Sequence, residues 1–160
     1  MDPVRTARPD DLAILPDVER AADTMFASLG IGPLPDPCTV SELHEALVVL
    51  VVGDPAVGFA RIDPVAGGAH LEQLSVHPDA GQQGRGRELL RASVQWAKDH
   101  DYPELTLATY RDIMWNGPFY ASEGFVEAGS PDEWWEARGH GPEEPVMGRF
   151  GARVVMRCSW

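Results

Sequence analysis

The sequence predicts an α/β protein of the α+β kind, in which about four helices flank a mixed, mostly antiparallel sheet of seven strands. Strand patterns occupy Val4–Arg8, Leu47–Val52, Val57–Ile62, Leu71–Val76, Glu104–Tyr110, Phe125–Ala128 and Arg153–Arg157. Short turns rich in glycine and proline join the second to the third and the third to the fourth, which makes those neighbours antiparallel. Between Leu71–Val76 and Glu104–Tyr110 stands a helix pattern from Gly86 to His100. A crossover of that kind forces the two strands it joins to be parallel.

In chain order, Val4–Arg8 is the first strand, and Pro9-Asp10-Asp11 opens a helix with proline at its first position and carboxylates at the positive end of its dipole. Leu12, Leu15, Val18 and Ala22 carry that helix to about Phe26. Gly30, Gly32, Pro33, Pro35 and Pro37 make Ser28–Thr39 irregular, and Ser41 caps a short helix ending at Glu45. The apolar run Leu47–Val52 turns at Gly53-Asp54-Pro55-Ala56 into Val57–Ile62, and Asp63–Ala69 turns the chain again into Leu71–Val76. Pro78 and its neighbours end that strand. Leu89, Leu90, Ser93, Val94 and Ala97 share one face of the long helix, and a shorter helix holds Tyr120. Gly129–Gly151 reads as long and mostly irregular, and residues 1–160 as a single domain without repeats.

At the head of the long helix the chain reads Gly81-Gln82-Gln83-Gly84-Arg85-Gly86-Arg87. A strand that ends in such a turn and opens a helix presents unpaired N–H groups and a positive dipole end, which together cradle an anion. Gly84 and Gly86 let a phosphate approach the backbone, and Arg85 and Arg87 add charge. The alternative is an ordinary turn that needs glycine for its dihedrals. A Walker motif is excluded because Arg87-Glu88 follows Gly86, and a dinucleotide fingerprint because position 89 is leucine.

Val76-His77-Pro78, a spacer and Gly84-Arg85-Gly86-Arg87-Glu88-Leu89-Leu90 resemble the coenzyme A loop of the GNAT N-acetyltransferase superfamily. Asn116-Gly117-Pro118-Phe119-Tyr120-Ala121-Ser122-Glu123-Gly124-Phe125 is similar to that family's second signature, an aromatic-Tyr pair shortly before Gly-Phe. The first loop position, usually Gln or Arg, falls here on Gly81, with Gln82 or Gln83 as substitutes. The resemblance implies the GNAT fold, with the parallel pair splayed and the pantetheine arm of acetyl-CoA in the gap, against Leu74, Ser75 and Val76. It also implies an acceptor pocket to which Phe26, the irregular stretch after it and the short helix ending at Glu45 contribute, and whose entrance the connection before the last strand borders.

Acetyl transfer needs a neutral amine, and an alkyl amine with the pKa of lysine is neutral only about one part in a thousand at pH 7. Glu72, four residues before Val76, is the candidate base, since by the resemblance the family commonly keeps a carboxylate there, acting directly or through water; it is otherwise a solvent-facing or ion-paired strand residue. By the resemblance Tyr120 is the acid that protonates the thiolate, against a buried core tyrosine as the alternative. Asn116 either donates to the pantetheine arm or caps a helix. In Ser130–Gly151, Asp132, Glu133, Glu136, Glu143 and Glu144 accompany Trp134 and Trp135 without lysine. Carboxylates beside indoles suit a cationic amine, or the tryptophans simply pack on the sheet edge.

Charge narrows the partners: 25 acidic side chains against 13 basic give a formal net charge of −12, which disfavours nucleic acid. Cys38 and Cys158 are read as free thiols, and the five histidines share no ligand spacing, so no metal is expected. No Gly-X-Ser-X-Gly elbow supports a serine hydrolase. Without an apolar span or a signal segment the protein is expected in the cytoplasm, away from membranes, as a monomer or homodimer. Two functions stay open: an acetyl-CoA-dependent N-acetyltransferase acting on a primary amine, and an inactive module of the same fold that binds acyl-CoA as a sensor or scaffold.

Overall fold

The computed structural model describes residues 3–143 and 145–160. Strand β1 (Val4–Thr6) runs into helix α1 (Pro9–Leu12). Asp11 locks that junction, accepting from both Arg5 guanidinium nitrogens at 2.6 and 3.0 Å and from the Arg8 N–H at 2.7 Å. The Arg5 guanidinium holds the Asp11 carboxyl well below the usual carboxylate range. The expected single helix from Pro9 to Phe26 is broken: α2 (Leu15–Asp23) restarts after Ala13 and Ile14, and a 3-10 turn covers Thr24–Leu29. Pro16 is the reason, since it has no N–H to offer the Leu12 carbonyl. Helix α3 (Val40–Glu45) is capped by Thr39 rather than Ser41, through a reciprocal box: Thr39 Oγ1 accepts from Glu42 N at 3.1 Å, and Glu42 Oε1 accepts from Thr39 N at 3.2 Å.

Strand β2 (Val48–Val52) explains its unbroken apolar run by facing two cores in alternation. Leu50 and Val52 join one cluster with Leu89, Leu90 and Ala97 of the long helix; Val49 and Val51 join another with Leu12, Leu15, Val18 and Leu43. β3 (Gly58–Val65) and β4 (Gly68–Val76) are both longer than the sequence suggests. Their turn contracts to Ala66 and Gly67, both at positive φ (49° and 81°), the conformation of tight hairpins.

Helix α4 (Arg85–Asp99) buries Leu89, Leu90, Ser93 and Ala97, the face expected, and leads to β5 (Glu104–Tyr110). α5 (Gly117–Ser122) and β6 (Val126–Gly129) follow. The stretch expected to be irregular contains two short helices, α6 (Pro131–Glu136) and α7 (Pro145–Gly148), before β7 (Arg153–Ser159). Ser130 caps α6 and Pro131 fills its first position, so the start signal was present in the sequence.

The sheet order is β1-β2-β3-β4-β5-β7-β6, with β4 and β5 the parallel pair. Those two strands pair only at Ala69↔Leu105 and His70↔Thr106, then diverge. From Leu71 to Val76 the β5-facing edge of β4 has no strand partner among the described residues. No helix of the described residues is long and apolar enough to cross a membrane.

Candidate active site

The divergence of β4 from β5 opens a cleft of about 810 Å³. Leu74, Ser75 and Val76 line one wall, and Tyr110, Asn116 and Tyr120 line the other. At the head of the split β4 carries a bulge. Ile62 stands opposite Leu71 and Arg61 opposite Gln73, which leaves Glu72 as the extra residue without a partner in β3. A bulge of this kind frees a side chain from the pleat and re-aims it.

Glu72 lines the cleft. The surrounding walls, with Asp63 adding like charge, push its carboxyl up to about 7. Water still reaches 40% of the side chain, so the group is desolvated by a concave site rather than sealed in a core. Its neighbour Arg61 is committed to Asp63 by bonds of 2.9 and 2.6 Å. Tyr120 is buried, with 8% of its surface exposed, and burial pushes its phenol above the ordinary range. It therefore stays protonated at neutral pH.

At the far end of the unpaired edge, Gly84 sits at the start of α4 with φ 79°, and Gln82 also has positive φ (61°). A Cβ on Gly84 would meet nothing within 4 Å, so this glycine serves the left-handed backbone and leaves the space in front open. Arg85 donates to the Ala80 carbonyl at 3.3 Å and to Gln83, and its Nε is buried with no hydrogen-bond partner among the described residues. Gly84, Gly86, Gln82, Arg85 and Arg87 line the cleft; Gln83 does not, because its side chain is turned to Arg85. The arginine cluster is less free than the sequence suggests. Arg87 and Arg91 both pair with Glu123, the latter at 3.0 Å, so their charge is shared with an internal carboxylate.

Asn116 occupies the position before α5, yet its side chain makes no capping bond and donates to the Trp115 carbonyl at 3.0 Å. Gly117 is required next to it: a Cβ there would stand 2.8 Å from the Arg111 carbonyl carbon and closer still to its oxygen.

The structure brings only some of the other named residues to the cleft. Phe26 lines the cleft and packs against Tyr110 and Trp115 at 5.9 and 5.8 Å. Trp135 lines it too. Glu133 and Trp134 do not: they border a separate hollow of about 300 Å³, with Trp134 buried against Val65 and Val155. Glu144 lies outside the described residues. Of the acids named in Ser130–Gly151, Glu143 lines the cleft; the rest of the acidic lining comes from Glu19, Asp23, Asp36 and Glu42, which the sequence did not single out. Glu143 is tied to Arg153 by two bonds of 2.8 Å, whereas burial and the nearby Glu19 push Asp23 up to about 6. His70, the last residue of β4 that pairs with β5, also lines the cleft, and no motif marked it.

Comparison with known proteins agrees with this architecture. The structure superposes on an N-acetyltransferase, PaiA, of Thermoplasma acidophilum solved in complex with coenzyme A, with a TM-score of 0.73 at 18% identity over 100% of this chain and 99% of that one. It also superposes on the ribosomal-protein-S18-alanine N-acetyltransferase of Escherichia coli, with a TM-score of 0.70 at 18% identity over 99% of this chain and 94% of that one. At such identities the likeness establishes the fold. The family model for an acetyltransferase (GNAT) domain matches residues 44–127, over half of the chain and from before β2 into β6, so the chain belongs to the GNAT acetyltransferase family.

Proposed function

We propose that the protein moves an acetyl group from acetyl-CoA to a primary amine of a small cationic molecule, by direct transfer in a ternary complex. The observation that carries this reading is the placement of Glu72, on a bulge at the head of the β4–β5 split, with its carboxyl poised near 7. A carboxyl with that pKa is largely ionised just above neutral pH and strong enough as a base to take a proton from an ammonium group on approach. The pantetheine arm fits the unpaired edge at Leu74–Val76, and the pyrophosphate fits the turn at Gln82–Arg87, where the unpartnered Arg85 Nε and the first N–H groups of α4 can receive it. A relative of this fold was solved with coenzyme A, which supports the same donor here.

Four roles follow for the chain's own residues. Glu72 removes the amine's proton, directly or through one water. The cleft walls hold the nitrogen against the thioester carbonyl, contributing by orientation. Free N–H groups of the β4 edge face the developing oxyanion. Tyr120 supplies the proton that the leaving thiolate takes up. A cationic acceptor is supported by Asp23, Asp36 and Glu19, carboxylates on the cleft with no arginine or lysine paired to them among the described residues.

A panel of amines incubated with acetyl-CoA, read by thiol release and product mass, tests the proposal. Transfer to di- and polyamines or to guanidinium-bearing amines is the expected result. Acceptance of neutral or acidic amines alone would remove the cationic assignment. Binding of acetyl-CoA without transfer to any amine would instead indicate a module that has kept the donor site and lost the reaction.

A further inference from the structure

His70 is a buried titratable side chain on the cleft that the reaction above leaves without a role. It is 2% exposed and sits where β4 and β5 last touch, two residues before Glu72. Three contacts hold its ring. Trp134 stacks on it at 5.0 Å, Trp135 meets it edge-on at 5.2 Å, and Thr106 Oγ1 lies 2.8 Å from its Nδ1. The Thr106 hydroxyl in turn donates to the Ala69 carbonyl, 3.4 Å away. A hydroxyl has one proton, and if Thr106 gives it to Ala69, its oxygen presents lone pairs to the ring and Nδ1 supplies the hydrogen between them. Nε2 is then bare, and it stands 3.7 Å from Glu72 Oε2.

We propose that His70 is the positioning residue for Glu72: its bare Nε2 receives the carboxyl O–H of Glu72 after that group has taken the amine's proton. No bond to His70 forms or breaks. The proton leaves the amine nitrogen, joins a Glu72 oxygen, and is shared with Nε2 as a hydrogen bond. A carboxylate and a bare ring nitrogen repel each other, whereas a carboxylic acid and the same nitrogen attract. The pair therefore favours the protonated carboxyl and makes Glu72 a better base than its exposure alone would. A rotation of the carboxyl, or one water, closes the 3.7 Å gap.

Burial, with the positive Arg138 beside it, pushes the His70 imidazole down to about 4, so the ring stays neutral while Glu72 titrates. The charged groups facing the pair are Arg61 and Asp63 from β3, Glu19 from α2, and Arg138 and Glu143 from the segment after α6.

Two measurements test this, one independent of catalysis. In isotope-labelled full-length protein without ligand, long-range nitrogen spectra should show the Nδ1–H tautomer at His70. Its Nε2 resonance should move with the same midpoint as the Glu72 carboxyl carbon and stay flat in Glu72→Gln. An Nε2–H tautomer, or an Nε2 indifferent to Glu72, overturns the proposal. The kinetic half rests on the proposed transfer to an amine. His70→Phe should lower kcat by about tenfold, short of the roughly 10²–10⁴ expected of the proton-transfer group itself, with acetyl-CoA affinity and Tm kept. His70→Gln, whose amide oxygen can stand near the place of Nε2, should recover most of that loss. A His70→Phe enzyme with unaltered kcat and pH profile also overturns it. Should His70→Phe fail to fold, or the native protein transfer no acetyl group, the spectra alone decide, and the failure of the reaction is judged separately.

Discussion

Replacing Glu72 with glutamine separates a protein-borne base from deprotonation in solution. With its carboxyl at about 7, Glu72 is ionised in roughly a tenth of molecules at pH 6 and nine-tenths at pH 8. If the ionised form is the base and the amine arrives as ammonium, kcat/KM should rise about tenfold between those pH values and then level off. In Glu72→Gln only the free amine can react, so the rise should continue with unit slope toward about pH 10, from a rate about 10²–10⁴-fold lower at neutral pH. Steady-state kinetics on one good acceptor across pH 6 to 10 reads both curves. Stability supplies a second measure. A carboxyl whose native pKa lies above its unfolded value of 4.5 binds more protons when folded, so stability falls as pH rises from about 4.5 to 7. The variant lacks that loss, and its Tm should gain on the native protein's through this window. A native profile without a bend near 7, parallel to that of the variant, would refute the assignment.

The donor site is tested by Gly84→Glu, which places a carboxylate in the open space before α4 and should abolish acetyl-CoA binding in calorimetry; Gly84→Ala carries the same positive-φ strain without the charge and should bind far better. Tyr120→Phe should reduce kcat by about 10²-fold or more while the Kd for acetyl-CoA stays nearly constant, and a normal kcat would remove the acid role. Gly117→Ala forces α5 away from the Arg111 backbone and should cost about 2 kcal/mol or more, a fall in Tm of roughly 4–8 °C by thermal denaturation.

What the sequence revealed and what it hid divide along chain distance. The seven strands, the parallel pair and the buried face of α4 were legible because each rests on a local period or on a connection rule. The two-part start, α1 then α2, was misjudged because Leu12, Leu15 and Val18 keep helical spacing across the break that Pro16 imposes. Helix α6 carried a serine cap and a first-turn proline, but the surrounding glycines and prolines masked them. Contacts between distant segments left no local trace. Arg87 meets Glu123 across 36 residues, His70 meets Thr106 across the same separation, and Trp134 turns away from the cleft because Val65 and Val155 offer it a core. The bulge at Glu72 is equally silent in sequence, since it exists only in the register between β4 and β3.

The brief contact between β4 and β5 divides the sheet into two antiparallel halves, one completed by Val76 and the other begun at Glu104, meeting at two residue pairs. Most proteins leave their unpaired peptide edges at the border of a sheet, where another chain can reach them. Here one lies recessed in the middle, shielded on both sides. An arm inserted there would act as a surrogate strand, protecting β4 amides from hydrogen exchange and raising the melting temperature with donor concentration, since a ligand of the folded state stabilises it by mass action.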